Sequence, residues 1–327
     1  GKANFALDSS LPGMLYATVV TPPLRKGCKV ISFDDSGCKE VNGFVEVIDP
    51  KLDVIDALSG YLVVVAKTFP EAMRAANALK VDWSIPEDNK IGTIDLLSEA
   101  EKLMKDKSKG SVTYHEGDVN GFLENNEKLQ SIYTTSFVAH GPLEPYNSVV
   151  GKFGDTWHVF SGTQTNSTLG LILGGMISAA TGVKPEEVKL KIHQRYAGGG
   201  FGTRLVNAEK LTLMTSIALN KPIKLIFTRE AMMMDTEPRT ATYQKLTAGV
   251  KNNELSALHI ELSAGSMVKR PEWGMPKDFY VKDIEGKEEI TAGAWTSEGS
   301  EHWYSIANRK FTFYENNKLN NVVPIAA

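Results

Sequence analysis

Four glycines and one phenylalanine occupy residues 198–202, between a predicted strand over 189–195 and a predicted helix over 205–219. Glycine permits positive φ angles and lets backbone N–H groups approach a ligand with no side chain in the way. A helix directs its positive end toward the loop before it, so the arrangement is typical of a phosphate- or pyrophosphate-binding loop. A tight turn that lets strand and helix pack closely is the alternative, and the spacing alone leaves both open.

The loop departs from two common nucleotide-binding motifs. Counting from Gly198, the sixth position is Thr203 where the dinucleotide fingerprint has Gly or Ala, and the Walker lysine pattern is absent. A phosphate- or nucleotide-binding protein that uses this loop alone remains one hypothesis. The formal net charge of -3 and the sequence pI of about 6.1 give no sign of a nucleic-acid partner, because phosphate binding leaves a basic footprint.

A second polar segment, 161–166, lies between a predicted strand over 157–160 and a predicted helix over 167–181 that ends at Gly182. Within this segment Gln164 carries an amide, which can both donate to and accept from a ligand. The neighbouring Thr165 and Asn166 could equally serve only as helix caps. Ligand binding and capping are both compatible with this pattern.

The order of the elements predicts two domains. Strands over 14–20, 29–33, 44–48 and 61–66 with a helix over 70–80 indicate an α+β unit, and its small residues predict close packing on a sheet. After a strand over 131–138, helices alternate with strands, as in βαβ units. We place the boundary at the lysine-rich stretch near residue 110, and we expect no single sheet to span both halves.

Several short motifs, taken in order, resemble one known family. The segments 161–164, 181–183 and 197–202 are similar to the molybdopterin-binding lobe of the xanthine oxidase and aldehyde oxidoreductase family. Similarity continues at residues 221–224, 228–230 and 237–239. The segments 137–145 and 1–17 resemble the branch of the isoquinoline 1-oxidoreductase large (beta) subunits, and the opening also resembles the family's α/β hammerhead domain.

This resemblance implies an α+β fold, with a hammerhead domain over 1–110 followed by the first, C-terminally incomplete lobe of the molybdopterin-binding domain over 111–327. It implies a molybdenum–molybdopterin cofactor, in bacteria commonly the cytosine dinucleotide, and 2Fe–2S clusters on a small partner subunit. It also implies hydroxylation of an aldehyde or of an electron-poor carbon of an N-heteroaromatic compound, with water as the oxygen source. The cofactor-binding residues that it implies are Gln164, Gly199, Gly200, Phe201 and Gly202.

Two departures from the family limit what this chain is expected to do. The family's catalytic glutamate lies in a G-x-G-E motif near the end of a chain about twice as long, and no such motif follows Gly202. The position four residues after Phe201, which is a substrate-binding glutamate in xanthine-specific members, is Leu205. We therefore expect a fragment that needs the remainder of its large subunit and the small iron–sulfur subunit. A non-catalytic cofactor-binding or assembly protein is the alternative.

Other features favour ordinary structural roles. His140 and Glu144 flank Pro142, so no helix aligns them as metal ligands, and we expect a hydrogen-bonded loop. Cys28 and Cys38 are expected to be two ordinary thiols, or one disulfide if the protein is exported. The opening at Gly1, without an initiator Met, is typical of a trimmed tag or of an excised domain, and it leaves the compartment, periplasmic or cytoplasmic, open.

The absent glutamate generates a prediction about activity. The purified 327-residue polypeptide should not oxidise aldehydes or N-heterocycles with an artificial electron acceptor, because general-base assistance alone typically contributes about 10²–10⁴-fold to a rate. Steady-state assays beside elemental analysis test this, and turnover that rises in proportion to molybdenum content would contradict it.

Overall fold

The computed structural model describes residues 1–24, 27–52, 58–86, 93–235, 238–265 and 304–316. These residues form two compact units, neither of which is continuous in sequence. The first unit comprises residues 1–86 and 140–236, and the second comprises residues 87–139 and 237–327.

The strands, in chain order, are β1 Leu15–Val20, β2 Lys29–Asp34, β3 Phe44–Ile48, β4 Leu62–Ala66, β5 Lys80–Ser84, β6 Ser111–Glu116, β7 Glu127–Thr135, β8 Asn147–Phe153, β9 Thr156–Ser161, β10 Lys189–Gln194, β11 Ile223–Ile226, β12 Thr242–Lys251, β13 Glu254–Ala264 and β14 Asn308–Glu315. The α-helices are α1 Ser36–Lys39, α2 Phe69–Ala78, α3 Thr93–Lys105, α4 Val119–Asn125, α5 Asn166–Thr181, α6 Asn207–Leu219 and α7 Arg229–Asp235. Three-residue 3₁₀ helices cover Ala6–Asp8, Lys107–Lys109 and Pro185–Glu187. A mixed helix–strand fold, as predicted, is confirmed.

The first unit is built on a seven-stranded mixed sheet in the order β10-β9-β8-β11-β1-β4-β3. Strand β1 pairs parallel with β11, where Leu15 lies opposite Ile223, and antiparallel with β4. One sheet therefore joins residues from both sides of the predicted boundary near residue 110, and the prediction that no sheet spans both halves is wrong. The pattern of one segment cannot reveal this pairing, because the partner strand lies far away in sequence.

Helix α2 covers the β4 end of this sheet with small side chains. Ala72 and Ala75 are fully buried, and Ala75 packs in one cluster with Leu62 and Val64 of β4. Alanine lets a helix backbone approach a sheet closely, which confirms the predicted close packing.

Helix α5 links two parallel neighbours, β9 and β10, as a βαβ crossover. Leu169, Leu173 and Ile177 recur at helical spacing and are buried in a cluster with Trp157 and Val159 of β9. The helix ends at Gly182, whose φ of 72° is the left-handed conformation expected of a glycine at a helix C-terminus.

The second unit contains a five-stranded sheet in the order β6-β14-β13-β12-β7. The predicted strand over 131–138 corresponds to β7, which begins four residues earlier at Glu127. The stretch over 270–303, which mixes Gly, Pro, Trp and charged residues without a clear pattern, lies outside the described residues. Among the described residues, no helix is long and apolar enough to cross a membrane. Cys28 and Cys38 are buried and are free thiols.

A buried polar cluster in the five-stranded sheet generates a prediction about pH. Burial lowers the pKa of His259 in β13 to about 4, from 6.5, and its Nε2 lies 2.9 Å from Thr312 Oγ1. The unfolded chain therefore binds a proton at His259 below about pH 6.5, while the folded chain resists it until about pH 4. Stability is fully present above pH 6.5 and is lost as the pH falls toward 4. Between pH 7 and pH 5 the loss from this group should be about 2 kcal/mol.

Urea denaturation of the wild-type chain and of His259→Gln at pH 7 and pH 5 measures this loss. The variant, which has no imidazole to titrate, should show a smaller decrease in the free energy of unfolding. Equal decreases in both proteins would contradict the prediction.

Candidate functional site

The two polar segments singled out from the sequence follow adjacent parallel strands. Residues 162–165 come after β9, and the glycine loop of residues 198–202 comes soon after β10. Because the carboxyl ends of parallel strands lie at the same edge of a sheet, the two segments meet there. Backbone contact is direct: Gln164 N–H donates to the carbonyl oxygen of Arg204 at 2.8 Å. The sheet edge thus assembles one site from two separate motifs.

The Gln164 side chain lies against the glycine loop. Its Oε1 accepts hydrogen bonds from the backbone N–H groups of Gly202, at 3.1 Å, and Arg204, at 3.3 Å. These two donors fix which end of the amide is the oxygen, so the NH₂ group is on the side away from them. Gln164 is exposed, and no partner for this NH₂ group is found among the described residues. The NH₂ group is therefore available to donate to a ligand.

Glycine is required in this loop for two different reasons. Gly199 and Gly202 have φ angles of +94° and +81°, which favour glycine. Gly200 does not have a positive φ; instead, a Cβ there would lie 2.5 Å from Oε1 of Gln164 and 2.6 Å from its Cδ. Phe201 also has a positive φ, 51°, and its side chain is 56% exposed.

Three consecutive backbone N–H groups of the loop, those of Gly199, Gly200 and Phe201, have no hydrogen-bond acceptor within the described ranges. Successive N–H groups in a loop with left-handed residues form a concave site that attracts anions. The helix contributes less than the sequence predicted, because α6 begins only at Asn207, after four intervening residues. The field of a helix terminus falls off within about one turn, so the anion-binding capacity lies in the loop itself.

A buried ion pair holds the base of the loop. Arg204 and Glu144 have side chains that are only 5% and 8% exposed, with Nη2 of Arg204 3.4 Å from Oε2 of Glu144. Arg204 Nε donates to the carbonyl oxygen of Gly199 at 2.7 Å, and Gly198 N–H donates to Glu144 Oε2 at 2.8 Å. Each member of the pair therefore binds the loop backbone, and the pair fixes its first two residues.

The opposite end of the loop is held by hydroxyl groups. Thr203 donates from both N–H and Oγ1 to the carbonyl oxygen of Gly200, at 2.8 and 2.7 Å. Tyr146 in turn donates its hydroxyl to Thr203 Oγ1 at 2.6 Å. The loop is a hydrogen-bonded structure and not a flexible connector.

The turn that carries Gln164 rests on a buried carboxyl group. Ser161 Oγ donates to Glu209 in the first turn of α6 and accepts from Thr163 N–H at 2.9 Å. Glu209 is 6% exposed, and burial raises the pKa of its carboxyl group. Thr163 Oγ1 donates to the carbonyl oxygen of Leu205 at 2.6 Å and accepts from Thr165 N–H at 3.1 Å. These bonds fix the backbone on both sides of Gln164.

The loop of residues 140–145 divides into two parts with different surroundings. Glu144 is fully engaged, because its other carboxylate oxygen, Oε1, accepts from Asn147 Nδ2 at 2.9 Å, which agrees with the expected hydrogen-bonded loop. His140, however, stacks on Phe201, with ring centroids 6.4 Å apart at 17°, and both of its ring nitrogens are buried without a hydrogen-bond partner. The described residues contain no cluster of three or more His, Cys, Asp or Glu side chains suited to a metal ion.

The structure brings together all five predicted site residues, Gln164, Gly199, Gly200, Phe201 and Gly202, although their role toward a cofactor stays a prediction. Three of the residues that hold them, Arg204, Thr203 and Glu209, were not identified from the sequence, and Glu144 was expected in a hydrogen-bonded loop without a link to the glycine loop. A charged residue two positions after the glycine loop, as at Arg204, was the one available signal. Its partner at position 144 could not be identified without the fold.

Residues 103–267, just over half of the chain, match the model of the molybdopterin cofactor-binding domain family. The chain is 28% identical over 313 residues to the membrane-bound aldehyde dehydrogenase (pyrroloquinoline-quinone) of Gluconacetobacter polyoxogenes, covering 94% of this chain and 38% of that protein. It is 27% identical over 283 residues to the isoquinoline 1-oxidoreductase subunit beta of Brevundimonas diminuta, covering 83% and 34%. The chain thus spans little more than a third of the length of these relatives.

Among solved structures, the aldehyde oxidoreductase of Desulfovibrio gigas resembles the chain with a TM-score of 0.63 at 16% sequence identity. The match covers 95% of this chain and 36% of that one. At this identity the likeness concerns the fold alone.

The close approach at Gly200 generates a prediction. In Gly200→Ala the new Cβ should displace the Gln164 side chain, because the amide is the movable end of a flexible chain, and both bonds to Gly202 and Arg204 should be lost. We expect a modest decrease of about 1 kcal/mol in the free energy of unfolding per hydrogen bond lost. The measurements are chemical denaturation and the amide resonances of Gly202 and Arg204.

Gly174→Ala is the matched control, since a Cβ at that position in α5 meets nothing within 4 Å. It should leave those resonances unchanged and should stabilise the helix slightly. Unchanged Gly202 and Arg204 resonances in Gly200→Ala would show that the loop accommodates the methyl group without moving Gln164.

Proposed function

Because this chain belongs to the molybdopterin cofactor-binding domain family, we propose that it is the part of a molybdenum hydroxylase large subunit that receives the cofactor on its glycine loop. The whole enzyme would oxidise an aldehyde or an electron-poor carbon of an N-heteroaromatic compound, with water as the oxygen source. When bound, the molybdenum–pterin group supplies the redox and oxygen-transfer chemistry. This chain's residues bind and orient that group.

The observation that carries the proposal is the set of unused hydrogen-bond donors around Gly200. The three loop N–H groups of residues 199–201 and the NH₂ group of Gln164 all donate, and their natural complement is a ligand rich in oxygen acceptors. Gly200 keeps the space beside Gln164 free of a side chain, since a Cβ there would meet the amide at 2.5 Å. These residues fit an oxygen-bearing, anionic cofactor.

Rigidity of the loop also supports the proposal. The buried Arg204–Glu144 pair, Thr203 and the Ser161–Glu209 bond fix the loop and Gln164 before any ligand binds. A binding site whose donors are already oriented loses less conformational entropy on binding. Gln164 would hold an oxygen of the cofactor, and the glycines would let the backbone approach it.

The identity of the cofactor follows the family model. One relative carries pyrroloquinoline-quinone in its name, but the match over residues 103–267 is to a molybdopterin-binding domain, and we take that as the guide. We further propose the cytosine dinucleotide form of the pterin. Small-subunit 2Fe–2S clusters would take up the electrons, and the remainder of the large subunit would supply the catalytic glutamate.

The domain assignment is likewise a proposal. Residues 1–110 would correspond to the hammerhead domain and residues 111–327 to the first lobe. The family match begins at residue 103, which supports a domain boundary in the sequence near this point. Such segments need not coincide with the two folded units, which each combine distant stretches of the chain.

A pair of variants in the complete large subunit, coexpressed with its small subunit, tests the proposal. Gly200→Val should abolish molybdenum content, because a branched side chain both displaces Gln164 and occupies the space beside it. Gln164→Ala should retain molybdenum and pterin but slow turnover, because it removes the amide that would contact the cofactor while the Arg204–Glu144 pair and Thr203 still hold the loop. Elemental analysis, pterin fluorescence after oxidation and steady-state rates measure these effects.

Full molybdenum content and full rate in Gly200→Val would overturn the proposal, because the loop would then be only a packing turn. Cofactor binding without any turnover in the complete assembly would favour a non-catalytic storage or assembly protein.

A further inference from the structure

His140 combines two features that a purely structural histidine rarely shows together. Both ring nitrogens are buried, and neither has a hydrogen-bond partner in the described part of the chain. A neutral imidazole has one N–H donor and one acceptor nitrogen, so both polar functions are left unused. Burying an unsatisfied polar group is unfavourable, and native structures usually supply a partner from protein, water or a ligand.

The backbone next to His140 is held firmly at the glycine loop. Arg229 donates from its guanidinium group to the carbonyl oxygens of Pro142 and Leu143, the latter at 2.6 Å. Glu144 pairs with Gly198 through two hydrogen bonds, one from each direction. The imidazole itself stacks on the Phe201 ring at the tip of the loop. His140 therefore belongs to the same site as the loop.

The surroundings favour an anion over a cation. The unused groups of this site are the N–H groups of residues 199–201 and the NH₂ group of Gln164, all of which donate. The carboxylate nearby is already occupied, since Glu144 binds Gly198, Asn147 and Arg204. A cation would lack a free carboxylate ligand here, whereas an oxyanion would find several donors.

We propose that His140 donates a ring N–H to an oxyanion bound at the glycine loop, through either a phosphate oxygen or an oxygen of a molybdate-like metal oxyanion. This inference rests on the proposed function, because the natural ligand would be the same cofactor. It adds a second side-chain donor, the His140 ring N–H, beside the amide of Gln164. His140 would act as a further ligand-binding residue next to Phe201.

Anion titrations of the whole 327-residue chain test the proposal without the cofactor. Inorganic pyrophosphate and molybdate serve as two separate probes, and the ring nitrogens of histidine are followed by ¹⁵N NMR while calorimetry gives the affinity. We expect at least one anion to bind and to shift the His140 ring signals, which the variants below assign. Preference for pyrophosphate would indicate a phosphate oxygen, and preference for molybdate would indicate a metal-bound oxygen.

Three variants make the test specific. His140→Phe keeps an aromatic ring against Phe201 but has no donor, and it should weaken binding about tenfold or more, as expected for a hydrogen bond to a charged group. His140→Gln restores an N–H donor and should recover part of the affinity. His115→Phe, at an exposed position in β6, is the matched control and should bind like the wild type. Thermal unfolding of each variant verifies that it is folded.

Equal affinity of the wild-type chain and folded His140→Phe would overturn the proposal, and so would the absence of binding of both anions to the wild-type chain. Unchanged His140 ring signals during anion binding would also overturn it. The imidazole would then be hydrogen-bonded to a buried water or have no partner at all. Failure of the proposed function would look different: the complete subunit would contain neither molybdenum nor pterin, whatever the anion titrations gave.

Discussion

The buried ion pair between Arg204 and Glu144 determines the shape of the glycine loop. The two side chains form an ion pair with each other, and each also hydrogen-bonds the loop backbone. Glu144 accepts from the N–H group of Gly198 and Arg204 donates to the carbonyl oxygen of Gly199, so both residues are fixed. Removing one partner of such a pair leaves a buried, uncompensated charge, which typically costs about 3–5 kcal/mol. The pair thus makes the loop rigid at a position where glycine would otherwise permit many conformations.

This rigidity supports the proposed binding of a ligand by a site whose individual features are weak. Gln164 is exposed, the loop N–H groups are ordinary backbone donors, and α6 starts too far along the chain to add much field. Their value comes from being oriented together before the ligand arrives, since fewer groups then have to be ordered on binding. The bonds of Ser161 and Thr163 extend the same principle to the turn beneath Gln164.

The seven-stranded sheet provides the geometric basis of the site. Strands β9 and β10 are parallel neighbours, and the loops after them meet at one edge, where ligands of α/β proteins characteristically bind. The crossover helix α5 holds these strands in register through Leu169, Leu173 and Ile177. Strands β1, β4 and β3 complete the other side of the same sheet, so the opening of the chain supports a site that lies far from it in sequence.

Much of the local structure, and the residue types that make up the site, could be predicted from the sequence. Periodicity and turn residues predicted α2, α5 and most strands of the first unit closely, but β5 and β8 were not predicted. The glycine loop and Gln164 stood out by composition, and the family resemblance implied the five candidate residues. These features depend on neighbours within a few positions, which a sequence pattern records directly. The resemblance of the motifs to a known family was confirmed by the match over residues 103–267.

Tertiary structure alone decided which distant segments meet. The pairing of β1 with β11, the discontinuous units and the contact of Glu144 with Arg204 all join residues far apart in the chain. Strand pairing and charge burial depend on where the backbone travels, and many partners would satisfy the same local pattern equally well. For the same reason only the fold showed that, among the described residues, the His140 ring nitrogens have no hydrogen-bond partner, because this is a property of the histidine's surroundings and not of its sequence.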